Sequence, residues 1–528
     1  MMRLAQIRDW LDGQAFADLV QQRLGPPGGT AMHWSRLPDL VPAALIRLLS
    51  PLIGVTRAEV AGVIFWPEIL LLLHLWLTGA LARKLGQPGA ANAAIAVAAL
   101  AFPAIVLFVP GRIDHHGLQI VLVEAMLLGL LSGRLVLAGL AAGTSLLVGV
   151  ETAPVILAAM AGLCWFWVAG RPPVTGFGIG IGIASLTGLA LLRPEPWLSQ
   201  YCDGFTPPIA IAMLAGGGGW IALGLLTPRL PDRGWRIGAA AVLAALAFAA
   251  VWLAAPACLS SPYGPTDAVL DRLWPGQAGE YGGLPAQPLG RAIAWAGLPL
   301  VGFIGALVYW RRAAERREPA ILFLLMIGTA LIGSVFQLRS LWFAAALAAP
   351  VLAQLISGLR KRGMAWQAAA WIVSAGLVWQ AVGALAVPAQ MEAEASCADR
   401  ETLAALDRLD TGSFAAPMDM SASIIGATQH RSLAGPYHRN LRGNRAMADL
   451  FQTSPEEARY QASLWAVDYV ALCPSSTGGL PSGMLKAGGL ATHLIAGAPP
   501  AWLDPVPLVG SDLLVWRVQP VAAPGIRP

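Results

Sequence analysis

"AANAAIAVAALAFPAIVLFVPGRIDHHGLQIVLVEAMLLGLLSG", residues 90–133, sets two apolar runs on either side of a short polar break. The first run carries no charged residue up to Val109, and the second carries only Glu124. About 20 apolar residues in a helix cross a hydrocarbon core of roughly 30 Å. Residues 90–109 and 117–133 therefore read as membrane spans. Arg112, Asp114, His115 and His116, between them, then lie at a membrane face.

The same pattern recurs outward in both directions. Further spans are expected at 60–82, 135–150, 153–170, 174–192, 206–226, 237–255, 292–310, 320–337, 341–358 and 364–387, twelve in all. Composition agrees: 56% of the 528 residues are hydrophobic and only 12% are charged, against about 25% charged in a soluble globular protein. The fold class is mainly α, a polytopic helical bundle in the membrane. The net charge of +5 then reflects basic loops on one membrane side and not a nucleic-acid partner. One set of short connections holds fourteen Lys and Arg residues, among them Arg83, Lys84, Arg134, Arg171, Arg311 and Arg312. The opposite set holds five, Arg112, Arg193, Arg272, Arg291 and Arg339. The first set is expected to be cytoplasmic. Both termini and the Asp114 loop are then external.

Residues 388–528 change character. Charges return, and "VDYVALCP" and "LLVWRV" read as strands. "SPEEARYQASLWA" reads as a helix capped by its serine. The expected organisation is an external amphipathic segment at 1–58, a helical membrane domain at 59–387, and a small periplasmic α/β domain at 388–528. "MRLAQIRDWLDGQAFADLV" is expected to be an interfacial helix with Leu4, Ile7, Trp10 and Leu11 on one face. The basic residues Arg3, Arg8, Arg23, Arg36 and Arg47 make translocation of residues 1–58 unfavourable without a preceding span. One more helix upstream is expected for that reason. Cys202 and Cys258, and Cys397 and Cys473, fall in external segments where disulfides can form.

Several polar residues could carry chemistry. Asp114, His115 and His116 beside Arg112 offer ligands suited to a divalent metal ion. They could equally be an interfacial turn with histidines at headgroup level. "RLGPPGGTAMHWSRLPDL", residues 23–40, forces a tight excursion and then presents His33, Trp34 and Arg36. The loop 256–290 is long enough to be functional and carries Glu280, which could also be an ordinary solvated carboxylate. Glu151 lies at an external helix end near the same mouth. Glu124 lies inside a span, where an ionisable group is costly. "LAGPYHRN", residues 433–440, offers His438 and Arg439 to a phosphate or sugar, or to packing of the tail.

Taken in order, "PPGG…MHW", then "DHH" at the mouth of a later helix, then a long external loop with a lone glutamate resemble the catalytic subunits of oligosaccharyltransferases. The archaeal members, within the GT-C superfamily of membrane glycosyltransferases, are most similar, and the likeness covers most of residues 1–390. The resemblance implies transfer of a sugar or glycan from a polyprenyl phosphate or diphosphate donor embedded among membrane lipids. It implies a divalent metal, Mn²⁺ or Mg²⁺, on Asp114, His116, His33 and Glu280, with Asp114 and Glu280 as the catalytic carboxylates. Arg339, in "FQLRS", and Arg112 correspond to basic residues near the donor phosphate. His115, Trp34, Arg36, Glu151, His438 and Arg439 are further candidates. Three features differ. Gln119 stands after "DHH" where archaeal members often carry a glutamate. The family's first catalytic aspartate would fall before Met1, and the tail has "PAQMEAEASCADR" at 388–400 in place of the "WWDYG" element that reads a peptide acceptor. The implied acceptor is a glycan, a lipid or another cell-envelope component. A transporter of lipid-linked glycans and an inactive GT-C-like scaffold are the competing readings.

Overall fold

The structure, a computed structural model, describes residues 1–261, 263–265, 267–273, 282–312, 317–386 and 397–520. The described residues divide into two compact units that interleave along the chain. One draws on Trp34–Gly264 and Glu280–Met391, the other on Met1–His33, Pro265–Gly279 and Glu392–Pro528.

Helix α1 (Met2–Leu11) and the strands β1 (Val20–Gln21) and β2 (Thr30–Ala31) belong to the second unit. The first is helical throughout. Its elements are α2 (Leu40–Ile53), α3 (Val55–Leu85), α4 (Ala90–Ala99), a 3-10 turn at Ala104–Phe108, α5 (His116–Leu131), α6 (Leu135–Val148), a 3-10 turn at Val150–Thr152 and α7 (Ala153–Val168). Next come α8 (Thr175–Leu192), α9 (Pro207–Leu226), α10 (Arg233–Ala254) and the short α11 (Ala257–Ser260). After α12 (Leu270–Leu273), in the other unit, follow α13 (Leu289–Arg312), α14 (Arg317–Gly333), α15 (Ser340–Leu359), α16 (Met364–Ser374) and α17 (Gly376–Leu385).

Among the described residues, seven helices are long and apolar enough to cross a membrane, or eight if α16 and α17, bent by 71°, form one span. All twelve expected runs contain helix, but α4, α5 and α6 are shorter than a full crossing and α14, at 17 residues, is not among the qualifying helices. The run expected at 90–109 breaks after Ala99. Pro103 has no amide hydrogen to continue a helix. The Leu100 carbonyl accepts from Phe102 N at 2.9 Å and from Leu377 N at 3.2 Å, the latter beside the bend between α16 and α17. A side chain at Gly376 would run into the backbone of Leu100 and Phe102. Two broken helices thus meet at their breaks, which re-satisfies backbone that lipid could not.

Helix α15 is the axis of this unit, with every residue from Leu341 to Gln354 buried. Its N-cap is Arg339. Helices α6 and α8 approach through small residues. A Cβ on Gly139 would strike the Phe177 carbonyl, one on Gly180 the Val136 carbonyl, and one on Gly143 the Ala184 methyl. Small residues at this spacing let helix backbones approach within a membrane. This contact places the end of α6, and hence Glu151, beside α5.

The second unit is α/β, with helices α18 (Arg400–Leu406), α19 (Ser421–Ala427), α20 (Leu441–Gln452), α21 (Pro455–Leu464) and α22 (Leu490–Ile495). Its sheet runs β4 (Arg431–Ser432), β3 (Ser413–Ala415), β5 (Tyr469–Leu472), β7 (Leu514–Val518), β6 (Leu503–Pro505). β4, β3 and β5 are parallel, and β7 joins β5 and β6 antiparallel. The strands expected in "VDYVALCP" and "LLVWRV" are β5 and β7. Ser454 caps α21 as its sequence suggests, accepting from Glu457 N.

The N-terminal segment is part of this unit's packing. Gly25 N donates to Ser432 O at 2.8 Å and Ser432 N to Arg23 O at 2.9 Å, which covers the β4 edge. Gly29, at φ +75°, closes the β1–β2 hairpin where a Cβ would strike the Gln21 carbonyl. Helix α1 buries Met2, Arg3, Ala5, Gln6 and Ile7. Of the expected apolar face only Ile7 is among them, because α1 packs against α19 through its other side. Arg8 Nη1 takes the Gly426 carbonyl at the end of α19 at 2.6 Å. Part of the long loop also belongs here: Leu270 and Leu273 are buried, and Asp267 pairs with Arg445 at 3.1 Å. Cys397 bonds to Cys473 in this unit, and Cys202 to Cys258 in the helical one.

Candidate functional site

The polar break at 109–115 is shaped by Asp114. Its Oδ1 accepts from His116 N at 2.9 Å and starts α5, leaving His115 as N-cap and His116 as the first helical residue. The same oxygen lies 3.3 Å from His116 Nδ1, and Oδ2 accepts from Arg112 Nε at 2.7 Å. Partial burial pushes the Asp114 carboxyl up. The His116 ring beside it, by charge and hydrogen bond, together with Arg112 and His115, outweighs that and holds it well below the usual carboxylate range.

His115 and His116 stack at 4.1 Å between ring centroids. His115 Nε2 faces Glu151 Oε1 at 3.3 Å. Glu151 comes from the 3-10 turn that follows α6. Gln119, one turn beyond His116, donates to Glu151 Oε2 at 3.0 Å and to the Gly149 carbonyl at 2.9 Å. Gly149 has no room for a side chain there, since a Cβ would run into both Glu151 and Gln119. Arg339 Nη1 lies 3.8 Å from Glu151 Oε1.

Trp342, one turn into α15, forms the floor. His116 meets its ring edge-to-face at 4.7 Å, and the Arg112 guanidinium lies 5.4 Å from its centroid. Four segments, 112–119, 149–151, 339–342 and Trp34, thus gather charged and aromatic groups at one end of the helical unit. Trp34 reaches His115 at 6.1 Å.

One ligand atom each from His115, His116 and Glu151 lies within 4.8 Å of the others. His116 is 8% exposed, and its Nε2 is buried without a hydrogen-bond partner among the described residues. A histidine whose Nδ1 is held by a carboxylate and whose Nε2 is free has the arrangement of a metal ligand. The residues present therefore fit a divalent ion. Two arginines and the N-terminus of α5 add positive potential for an anionic substrate group.

Of the sequence candidates, the structure joins Arg112, Asp114, His115, His116, Glu151, Arg339 and Trp34. Arg36 is fully buried just before a 3-10 turn at Leu37–Asp39 in the same unit. His33, His438 and Arg439 belong to the other unit, where His33 and His438 lie 4.7 Å apart and Arg439 Nη1 donates to Met32 O at 3.0 Å. Glu280 lies outside the described residues. The next described residue, Gly282, gives its carbonyl to Leu338 N at 3.1 Å, next to Arg339. Sequence reading missed Trp342 as a platform and took Gln119 only as a departure from a motif. Both lie three residues from a named candidate on a helix start, a spacing that could have found them.

No protein-family model matches the chain, and no curated protein sequence matches it. Solved structures do. The apo oligosaccharyltransferase of Archaeoglobus fulgidus superposes with a TM-score of 0.68 at 13% identity, over 95% of this chain and 68% of that one. The archaeal enzyme from the same organism with an inhibitory peptide and a dolichol-phosphate gives 0.63 at 14% identity, over 89% and 64%. Its complex with Zn and sulfate gives 0.62 at 14% identity, over 90% and 63%. The chain thus spans about two thirds of the length of these proteins. It shares the fold of these oligosaccharyltransferase structures.

Proposed function

We propose that this chain is a membrane glycosyltransferase that moves a sugar or glycan from a polyprenyl phosphate or diphosphate donor to a cell-envelope acceptor. The observation that carries the reading is the buried, unpartnered Nε2 of His116 beside His115 and Glu151, with Asp114 holding the opposite nitrogen. His116, His115 and Glu151 would hold a divalent ion, Mn²⁺ or Mg²⁺, with Asp114 at its edge. Glu280, outside the described residues, is proposed as a further carboxylate of the set. The bound ion supplies positive charge that offsets negative charge developing on the departing phosphate.

The protein's own groups do the rest. Arg339 and Arg112 orient the donor phosphate. Glu151 positions His115, and Trp342 excludes water beneath His116. A carboxylate of the set, Asp114 or Glu280, accepts the acceptor's proton. A related solved structure contains a dolichol-phosphate and another an acceptor peptide with an NVT sequon. The dolichol-phosphate supports a lipid-linked donor here. The absence of a "WWDYG" element in this tail favours a glycan or lipid acceptor. The Cys397–Cys473 disulfide supports an oxidising compartment for the tail, and Cys202–Cys258 the same for two connections of the helical unit, proposed as the periplasmic face of a bacterial inner membrane.

The test is Mn²⁺ binding to the purified protein in nanodiscs, followed by release of polyprenyl phosphate from labelled donor in proteoliposomes with and without chelator. One saturable Mn²⁺ site and chelator-sensitive release are expected. Passage of intact donor across the bilayer without cleavage would favour a transporter. Absence of any saturable site would remove the metal reading.

A pH prediction follows from Asp114. Its native pKa lies below the unfolded value of about 4. Its stabilising contribution is therefore present above about pH 4 and is lost only as pH falls through the depressed native value. Asp114→Asn is expected to weaken Mn²⁺ binding by about 10- to 100-fold. The ratio of mutant to wild-type Kd should stay flat between about pH 5 and 8, where Asp114 keeps its charge. A ratio that collapses toward one over that range would assign the titrating charge to Asp114 and contradict its depressed pKa.

A further inference from the structure

Helices α3 and α5 bury three polar side chains against each other, away from the site. His74 and Thr78 on α3 and Glu124 on α5 are each 0% exposed. Glu124 Oε2 lies 2.9 Å from His74 Nδ1, and Oε1 accepts the Thr78 hydroxyl at 2.9 Å. His74 Nε2 is buried with no hydrogen-bond partner among the described residues. Its ring stacks on Phe108 at 5.0 Å, the planes 9° apart. Polar groups inside a membrane helix are costly and mark function by default.

The connectivity says what this trio touches. Phe108 ends the 3-10 turn that leads into the loop at 109–115. Glu124 lies eight residues after His116 on α5, about 12 Å along the axis at 1.5 Å per residue. His74 therefore links Phe108, just before the loop that carries Arg112, Asp114 and His115, to Glu124 on the helix that follows it. Helix α5 is apolar nearly all round, so packing alone defines its rotation weakly. Directional hydrogen bonds define it sharply, as a single polar contact can fix register between helices. A rotation of α5 by one residue, about 100°, would carry His116 off Trp342 and away from Glu151.

We infer that His74, Thr78 and Glu124 are positioning residues: they set the rotation of α5 and the seat of Phe108, and so hold His115 and His116 in place for the metal. The inference rests on the metal site proposed above. Replacing the whole trio by apolar residues tests it, because removing both partners of a buried hydrogen bond can leave stability nearly unchanged. His74→Leu/Thr78→Val/Glu124→Leu is expected to keep its Tm yet bind Mn²⁺ at least about tenfold more weakly. Glu124→Gln, which still accepts from Thr78, is expected to restore most of the affinity. Where the triple variant fails to fold, Thr78→Val alone is expected to weaken Mn²⁺ binding by about threefold. Wild-type affinity in the folded triple variant, or in Thr78→Val, would overturn the inference and leave the trio a structural contact. Wild-type protein without a saturable Mn²⁺ site would overturn the site itself, and the inference with it.

Discussion

Replacing His116 by alanine is expected to lower release of polyprenyl phosphate from a labelled donor by about 10²- to 10³-fold, the range seen when one preorganised electrostatic contact is removed from a reacting centre. The reason lies in how its two nitrogens are used. Nδ1 is tied to Asp114 at 3.3 Å, and Nε2 is buried and unengaged. Alanine removes a ligand and also takes the ring partner from the Asp114 carboxylate, leaving it Arg112 Nε and the backbone amide of residue 116. His115 offers a milder comparison, because its Nε2 already faces Glu151. His115→Ala is expected to be the smaller loss. The measurement is initial rate at saturating Mn²⁺, with Tm recorded for each variant. The His116 ring packs on His115 and Trp342, so its loss leaves a small void and a modest drop in Tm. A rate loss under about threefold, with the fold intact, would place the chemistry elsewhere and return "DHH" to an interfacial turn.

Gly139→Leu is expected to produce the largest loss of folded protein. A Cβ at this position would strike the Phe177 carbonyl on α8, which is backbone and cannot swing aside as a side chain can. Overpacking typically costs about 1–3 kcal/mol and more where backbone must move. The helices would have to separate, and with them the close crossing that Gly143 and Gly180 also need. The effect should reach the site, because α6 runs into Gly149 and Glu151. Gly182→Leu is the control. It lies on the partner helix α8, and a Cβ there meets nothing within 4 Å. Thermal unfolding in detergent should show a clear fall in Tm for Gly139→Leu and little change for Gly182→Leu. Equal Tm values for the two would mean that α6 and α8 do not cross as closely in the membrane.

Much of this was legible in residue order. Apolar runs named most helices of the bundle, though not α2, because a membrane span is a local property of composition and length. Strands β5 and β7 and the Ser454 cap were local too. The breaks were harder to read. Pro103 hints that α4 cannot continue, but only Leu377 and Gly376, far along the chain, show that the Leu100 carbonyl also meets the bend between α16 and α17. The same holds for residues 1–33. Their amphipathic pattern suggested a lipid interface, while their hydrogen bonds run to β4 and α19.

The sequence by itself determined the apolar character of the helices, most of their positions, and that Arg112, Asp114, His115 and His116 stand together in a polar break between two apolar runs. These depend on hydropathy and near-neighbour spacing, which a linear reading carries. Only the tertiary structure decided that Glu151 and Arg339 join them, that Gln119 and Trp342 hold them, and that His74 meets Glu124 across α3 and α5. Those contacts join residues from 32 to more than 200 positions apart. They exist because close glycine packing and the buried axis of α15 bring separate helices to one end of the bundle, which no local pattern encodes.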